Sequence, residues 1–297
     1  MLRLPKFEYL SPKTIEEASS LLTFHRGDAK VIAGGTDLFI RMKRREVKPK
    51  YLVGLRGIPD LDCITYDKGE GLRIGPLVTN NAVLNSPLIR EKFGLLAETI
   101  SKMATPEVRN MGTLAGNLCN AAPSADAAPP LMVLGANVKL ASSKGERIAS
   151  LEDFFVGPGE TILLPGELLT EIQVPNLAPR TGAAYLKLSR TAMDLAVVGV
   201  AVAVSLKDNC CTDIKIALGA VSPTPVRSKK AEEVIKGKTI TDELIKEASQ
   251  IASEGCCPIS DIRGSAEYRQ EIVRVFTRRA IRQALASASA HNRSVIA

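Results

Sequence analysis

The sequence predicts an α+β protein built from more than one domain. Three observations carry that reading. The chain has 297 residues, 45% of them apolar, which is enough for two or three separate cores. Its first segment reads strand, helix, strand. Beyond a break rich in proline and glycine, "VPNLAPRTG" at 174–182, it reads three strands and then helices.

In the first segment "TIEEASSLL" opens with Thr14 and Glu17 in capping-box spacing and sets Ile15, Ala18, Leu21 and Leu22 on one face, with Gly27 placed to stop the helix. "KVIAG" and "YLVGL" read as buried strands on either side of "GTDLF". The second segment starts with a hairpin, "DCITYD" and "GLRIGP", and runs into helical periodicity through "SPLIREKFGLLAETISKM". The stretch that follows, up to "LGANVKL", is poor in charge and dominated by small residues and proline, so its backbone must pass close to something. Within it Ser124 and Asp126 are placed to open a short apolar helix, and "NVKLAS" with "ERIAS" forms a further hairpin around Lys144 and Gly145. In the last segment "AAYLKLSR", "LAVVGVAVAVSL" and "TDIKIALGAV" read as three antiparallel strands, the last two joined at Lys207-Asp208-Asn209. Three helical stretches close the chain, the last with Ile272, Val275, Phe276 and Ala280 on one stripe and arginines opposite.

Composition removes whole classes of function. With only His25 and His291, both read as peripheral, most histidine-dependent catalysis is out, and there is no HExxH. No P-loop and no GxGxxG explains the glycines. The six cysteines lack the spacing of a metal or redox motif and read as reduced, mostly buried thiols, so no metal site is expected. A net charge of +7 spread along a chain with 4% aromatic residues argues against nucleic acid. The one dense basic run, "RMKRREVKPK" at 41–50, reads as a solvated helix end or loop, with a docking surface for an acidic partner as the alternative. No apolar run reaches the length of a membrane span, and "MLRLPKFEYL" lacks the apolar core of a signal peptide, which points to the cytoplasm.

Two turns remain, "AGGTD" at 33–37 and "GTLAGN" at 112–117. Successive amides in a tight turn or at a helix start form a concave site for anionic oxygens, and glycine removes the side chain that would block approach. Thr36, Thr113 and Asn117 add donors at the same places. A diphosphate is the anion of a size for two such loops. The plain alternative for either loop is a sharp turn that needs glycine for positive φ.

"VIAGGTDL" followed by "RNMGTLAGNLCNAAPSADAAPPLMVLGA" resembles the FAD-binding medium subunits of the molybdenum hydroxylases, the xanthine dehydrogenase and carbon monoxide dehydrogenase family. "FEYLSPKTIEEA" and "YLKLSRTAMDLAVVGVAV" extend the likeness to essentially the whole chain. It implies a two-domain FAD-binding module of type 2 (PCMH-like), an α/β subdomain at 1–57 and an α+β subdomain at 58–176. It also implies a C-terminal domain at 177–297 of three-stranded antiparallel sheet with helices. FAD is then expected between the first two. The residues it implies at the cofactor are Val31, Ile32, Ala33, Gly34, Gly35, Thr36, Asp37 and Leu38 in one loop, and Thr113, Leu114, Ala115, Gly116 and Asn117 in the other, both at the diphosphate. Asp126 matches a carboxylate that contacts the cofactor, accepting from ribose or ribityl hydroxyls as an exposed group would; its alternative is a helix cap. Met103, Leu169 and Lys187 match positions that flank the flavin or adenine.

The family pattern carries a glycine where this chain has Ala115, a departure that costs about 1 kcal/mol only if that position needs positive φ. Nothing resembles the cysteine-rich insertion of relatives that reduce hydroxybenzoyl-CoA, so FAD is expected as the only prosthetic group here, with no metal and no catalytic acid or base on this chain. The resemblance further implies a large molybdopterin-binding subunit and a small iron-sulfur subunit as partners, in a dimer of heterotrimers. Electrons would reach FAD from the iron-sulfur clusters and leave to an acceptor such as NAD. A phosphate-ligand module without redox chemistry, or a structural subunit that has lost flavin, is the competing reading.

Overall fold

The computed structural model describes the backbone of residues 3–294 and the side chains of residues 3–289. The side chain of His291 lies outside them. The chain first forms β1 (Glu8–Leu10), α1 (Ile15–His25), β2 (Ala29–Ile32), α2 (Leu38–Lys43) and β3 (Tyr51–Gly54). These strands make a parallel sheet in the order β1-β3-β2. Thr14 caps α1 by accepting the Glu17 amide at 3.1 Å, while Glu17 accepts from the Lys13 amide at 2.6 Å, one residue beyond the N-cap amide of a full capping box. Ile15, Ala18, Leu21 and Leu22 face the sheet as their spacing predicts. The helix stops differently from the expectation: Arg26, at φ 44°, takes the left-handed position, and Gly27 lies in the short 3-10 turn after it.

The second sheet begins with the hairpin of β4 (Ile64–Asp67) and β5 (Gly71–Ile74). The next stretch holds α3 (Asn80–Asn85), α4 (Pro87–Lys92), α5 (Gly94–Ser101), α6 (Pro106–Met111), α7 (Leu114–Cys119) and α8 (Ala128–Val133). The single helical stretch expected at 86–103 is thus two helices, α4 and α5, meeting at the buried Phe93, whose non-helical backbone breaks the first before the second starts. The chain then adds β6 (Asn137–Ser142), β7 (Gly145–Ser150), β8 (Phe155–Gly157), β9 (Glu160–Thr161) and β10 (Leu168–Val174). The sheet is antiparallel in the order β4-β5-β10-β6-β7, and β8 pairs with β9 alone.

The last part contains β11 (Thr181–Leu188), β12 (Val198–Lys207), β13 (Cys210–Gly219), β14 (Val226–Arg227), α9 (Lys229–Ile235), α10 (Asp242–Glu254) and α11 (Ala266–Ser294). Its antiparallel sheet has four strands, β11-β12-β13-β14, because the two-residue β14 adds an edge too short to read from sequence. Alternation along β12 explains its continuous apolar run. Val200, Val202 and Val204 face the helices, while Ala201 and Ala203, with Tyr185 and Ala217, join the core of the second sheet. Both faces are therefore buried, the larger side chains on the helix side. Gly182 is required by close approach: a Cβ there would lie 2.9 Å from the Cα of Ala288 on α11. The expected stripe on α11 is rotated. Val273, Thr277, Ala280, Ile281 and Ala284 are the buried positions, Ile272 and Phe276 only flank them, and Arg269 points inward to Asp261 and the Ala220 carbonyl instead of lying opposite.

All six cysteines are free; Cys211 and Cys256 are buried, Cys119 and Cys210 half-buried, and Cys63 and Cys257 exposed, so the expectation of mostly buried thiols holds only in part. His25 stacks on Tyr51 with ring centroids 3.7 Å apart, a peripheral packing role. Among the described residues no helix is long and apolar enough to cross a membrane, and no cluster of metal-ligating side chains occurs.

Candidate functional site: a cleft between the first two sheets

A cleft of about 520 Å³ opens where the first sheet meets the second. Its floor is the contact between the two small-residue turns. Gly34 packs so tightly on the second turn that a Cβ would overlap the Met111 carbonyl oxygen and sit 3.0 Å from the Gly112 Cα. On the other side, Gly112 lies with its Cβ direction 3.3 Å from Thr36 Oγ1. Gly35 takes φ +74°, a conformation open to glycine at no steric cost. The turns expected to share a ligand are therefore in direct contact, and the glycine at 34 is needed for that contact, whereas an open path for a ligand was the reason expected.

From this floor two short helices start. Asp37 and Thr113 are the N-cap residues of α2 and α7, and the first amides of each helix have no acceptor within it. Thr113 Oγ1 accepts the Gly116 amide at 3.0 Å, which leaves the amides of Leu114 and Ala115 as the ones α7 can offer. Ala115 sits at the second helical position without positive φ, so its methyl imposes no left-handed strain. Both turns thus carry a helix start at the cleft floor, a setting suited to anionic oxygens.

All of Val31, Ile32, Ala33, Gly34, Gly35, Thr36, Asp37 and Leu38 line the cleft, as do Met103, Thr113, Ala115, Gly116, Asn117, Asp126 and Leu169. Two expected residues do not. Leu114 is fully buried in the core of the second sheet, because the first turn of α7 directs that side chain inward; what it can contribute is its amide. Lys187 lies behind the wall, its side chain 3% exposed, donating to Asp126 Oδ2 at 2.8 Å and to the Lys102 carbonyl at 3.1 Å.

Asp126 differs most from expectation. It is buried, not exposed, and it caps no helix: α8 starts from Ala127 without a side-chain cap. Its carboxyl instead accepts from the Tyr185 hydroxyl at 2.8 Å as well as from Lys187, joining the cleft wall to β11. Burial raises its pKa above the ordinary 3.8, against the opposing pull of Lys187 and Tyr185.

Sequence reasoning missed several wall residues. Asn80, at the start of α3, donates its amide to the Gly112 carbonyl at 2.8 Å and is 5% exposed. Nothing in "VTNN" separates it from an ordinary capping segment. Leu163 and Glu167 come from the turn before β10 and Leu168 from its first position, and Met193, Asp194 and Leu195 from the turn between β11 and β12. That second turn occupies residues expected to begin a strand: β12 starts at Val198, which leaves Met193 and Leu195 half exposed at the cleft. The basic run at 41–50 reaches the rim through Arg41 and Val47.

Glu167 holds its turn closed. Its carboxylate accepts from Arg147 at 2.8 and 2.7 Å and from the Leu164 amide at 2.8 Å, and Arg147 also donates to the Ile162 carbonyl at 2.9 Å. Arg147 keeps the Glu167 carboxyl below its ordinary 4.5. A carboxyl lowered on folding stabilises fully above its unfolded value and loses that contribution as pH falls through the lowered one. With Arg147 partly exposed the effect is about 1 kcal/mol. Thermal midpoints taken from neutral to acid pH are expected to show this loss in the wild type, and Glu167→Gln to flatten that part of the curve.

Comparison with known proteins adds the decisive observation. The family described as the FAD binding domain in molybdopterin dehydrogenase matches residues 5–177, and the CO dehydrogenase flavoprotein C-terminal domain matches residues 183–284. The chain belongs to the FAD-binding medium subunits of the molybdenum hydroxylases. It is 35% identical to the carbon monoxide dehydrogenase medium chain of Hydrogenophaga pseudoflava over 95% of this chain and 98% of that one. It is 33% identical to the nicotine 6-hydroxylase medium subunit of Paenarthrobacter nicotinovorans over 95% and 99%. Among solved structures, a carbon monoxide dehydrogenase from Hydrogenophaga pseudoflava superposes with a TM-score of 0.93 at 35% identity, covering 96% of this chain and 99% of that one. The quinoline 2-oxidoreductase of Pseudomonas putida 86 gives 0.90 at 32%, covering 96% and 99%.

This oxidoreductase subunit has walls that suit FAD. Asn80 Oδ1 and Asn117 Oδ1 are buried at the cleft with no hydrogen-bond partner, acceptors that hydroxyl or ring N–H donors would satisfy. Apolar walls from Ile32, Met103, Leu168 and Leu169 suit ring faces, and the paired turns supply amides without a lysine at the floor.

Proposed function

We propose that this subunit carries electrons for a molybdenum-containing hydroxylase or dehydrogenase, receiving them from iron-sulfur clusters of a partner and handing them to an external acceptor such as NAD. Flavin supplies the one- and two-electron chemistry when bound, so the protein needs no acid or base of its own. The chain is read as three domains, 1–57, 58–176 and 177–297, with FAD held between the first two. The turns at 31–38 and 113–117 hold the diphosphate through backbone amides. Asn80 and Asn117 accept from the cofactor's hydroxyls or ring N–H groups, and Asp126 contributes its second lone pairs from the wall. Met103 and Leu169 border the rings, and Lys187 acts through Asp126.

The single observation that supports this most is the packing of Gly34 on Met111 and Gly112, which joins both turns into one floor. In the assembly this reading implies, a large molybdopterin-binding subunit recognises the substrate, a small subunit holds the iron-sulfur clusters, and two such heterotrimers pair in the cytoplasm. Purified chain is expected to take up one FAD and show the visible bands of bound flavin, and copurification to recover both partners. Bleaching of those bands by NADH in the complex would support NAD as the acceptor. A chain that stays colourless with added FAD would overturn the reading in favour of a phosphate-ligand or structural subunit.

A further inference from the structure

The turn that brings Met103 and Ala104 into the cleft wall links α5 to α6, and its backbone is not one an alanine adopts by preference. Ala104 sits at φ 42°, a left-handed conformation in which Cβ crowds the following carbonyl. The carbonyls there are tied down from outside the cleft. A single nitrogen of Arg109, Nη1, donates to the Met103 carbonyl at 2.7 Å and to the Ala104 carbonyl at 2.8 Å. The carbonyl before them, that of Lys102, accepts from Lys187 at 3.1 Å. Arg109 belongs to α6 and folds back past the start of its own helix to reach residues five and six positions earlier. A cation lying over a helix N-terminus meets the positive end of the dipole, so the dipole does not hold it there; the two carbonyls do. Its Nε, buried and without a partner, shows that no other acceptor competes for the guanidinium from that side.

We propose that Arg109 is a positioning residue for the cofactor: by binding both carbonyls it holds Ala104 left-handed and so sets the wall that Met103 and Ala104 present to the cleft. The proposal rests on the FAD reading above. Without the clamp the turn relaxes toward ordinary φ, and Met103 withdraws from its place. Arginine suits this task because its planar group holds the two N–H bonds of Nη1 in fixed directions, whereas lysine offers a mobile point charge.

The test uses the whole chain and five variants: Arg109→Ala, Arg109→Lys, Ala104→Gly, and each Arg109 change combined with Ala104→Gly. FAD affinity is read by titration, the bound flavin's visible spectrum at saturating FAD, and folding by thermal melting. Arg109→Ala is expected to raise the FAD Kd about tenfold, equivalent to about 1.4 kcal/mol, and to shift the visible bands of the flavin that still binds. Glycine at 104 adopts positive φ unaided, so the double variant is expected to regain most of the affinity lost in Arg109→Ala, with Ala104→Gly alone as the reference for what the lost methyl itself contributes. Should Arg109→Ala fail to fold, the same rescue is read for Arg109→Lys with and without Ala104→Gly. Wild-type affinity and spectrum in the Arg109 variants, or a loss that glycine at 104 does not relieve, would overturn the proposal. A wild-type chain that takes up no FAD would instead remove the reading on which it stands.

Discussion

Gly34→Val is expected to strip the subunit of FAD and to cost the fold about 3 kcal/mol. Even the first added carbon would sit 2.7 Å from the Met111 carbonyl carbon, against backbone that has no rotamer to move away with. The two turns must then separate, which opens the floor that joins the starts of α2 and α7. Flavin content after purification reads the first effect and the thermal midpoint the second. Gly35→Val offers a contrast: its Cβ meets the Phe39 ring, which can turn, but at φ +74° a β-branched residue is strained wherever the ring goes. Full flavin retention in Gly34→Val would show that contact between the turns is not what holds the cofactor.

Asp126→Ala is expected to cost about 3–5 kcal/mol, because it leaves the Lys187 ammonium, 3% exposed, without its carboxylate partner. The exposed carboxylate expected from the sequence could have been removed at little cost to the fold. Burial changes the sign of nothing but the size of everything. Pairing the change with Lys187→Met tests the two roles separately. Removing both charges is expected to restore most of the stability, as replacing a whole buried ion pair often does, while FAD affinity stays low if Asp126 contacts the cofactor. Thermal melting and FAD titration on the two variants decide it. Recovery of both properties together would confine Asp126 to joining the cleft wall to β11.

Local features were legible where a few neighbouring residues settle the outcome. The cap at Thr14, the hairpin at Lys207-Asp208-Asn209 with Asp208 and Asn209 at positive φ, and the β6–β7 hairpin all form as their residues indicate. Errors fell where a distant contact overrode a local preference. The stripe on α11 rotated because its small residues Ala284 and Ala288 must meet Gly182 on β11. At the site, the turns and Asp126 stood out by composition and by likeness to a family, whereas Asn80 and Glu167 carry no sign in one sequence that they reach the same cleft, nor Arg109 that it grips the turn behind its wall.

By itself the sequence determined the order of strands and helices and the presence of two turns made of small residues, since period, caps and glycines act over spans of a few positions. Only the tertiary structure decided that Gly34 rests on Met111, that Asp126 is buried against Tyr185 and Lys187, and that Arg109 clamps the turn at Ala104. Each of these joins parts of the chain through sterics or desolvation, and such energies exist only once packing has excluded water from the space between them.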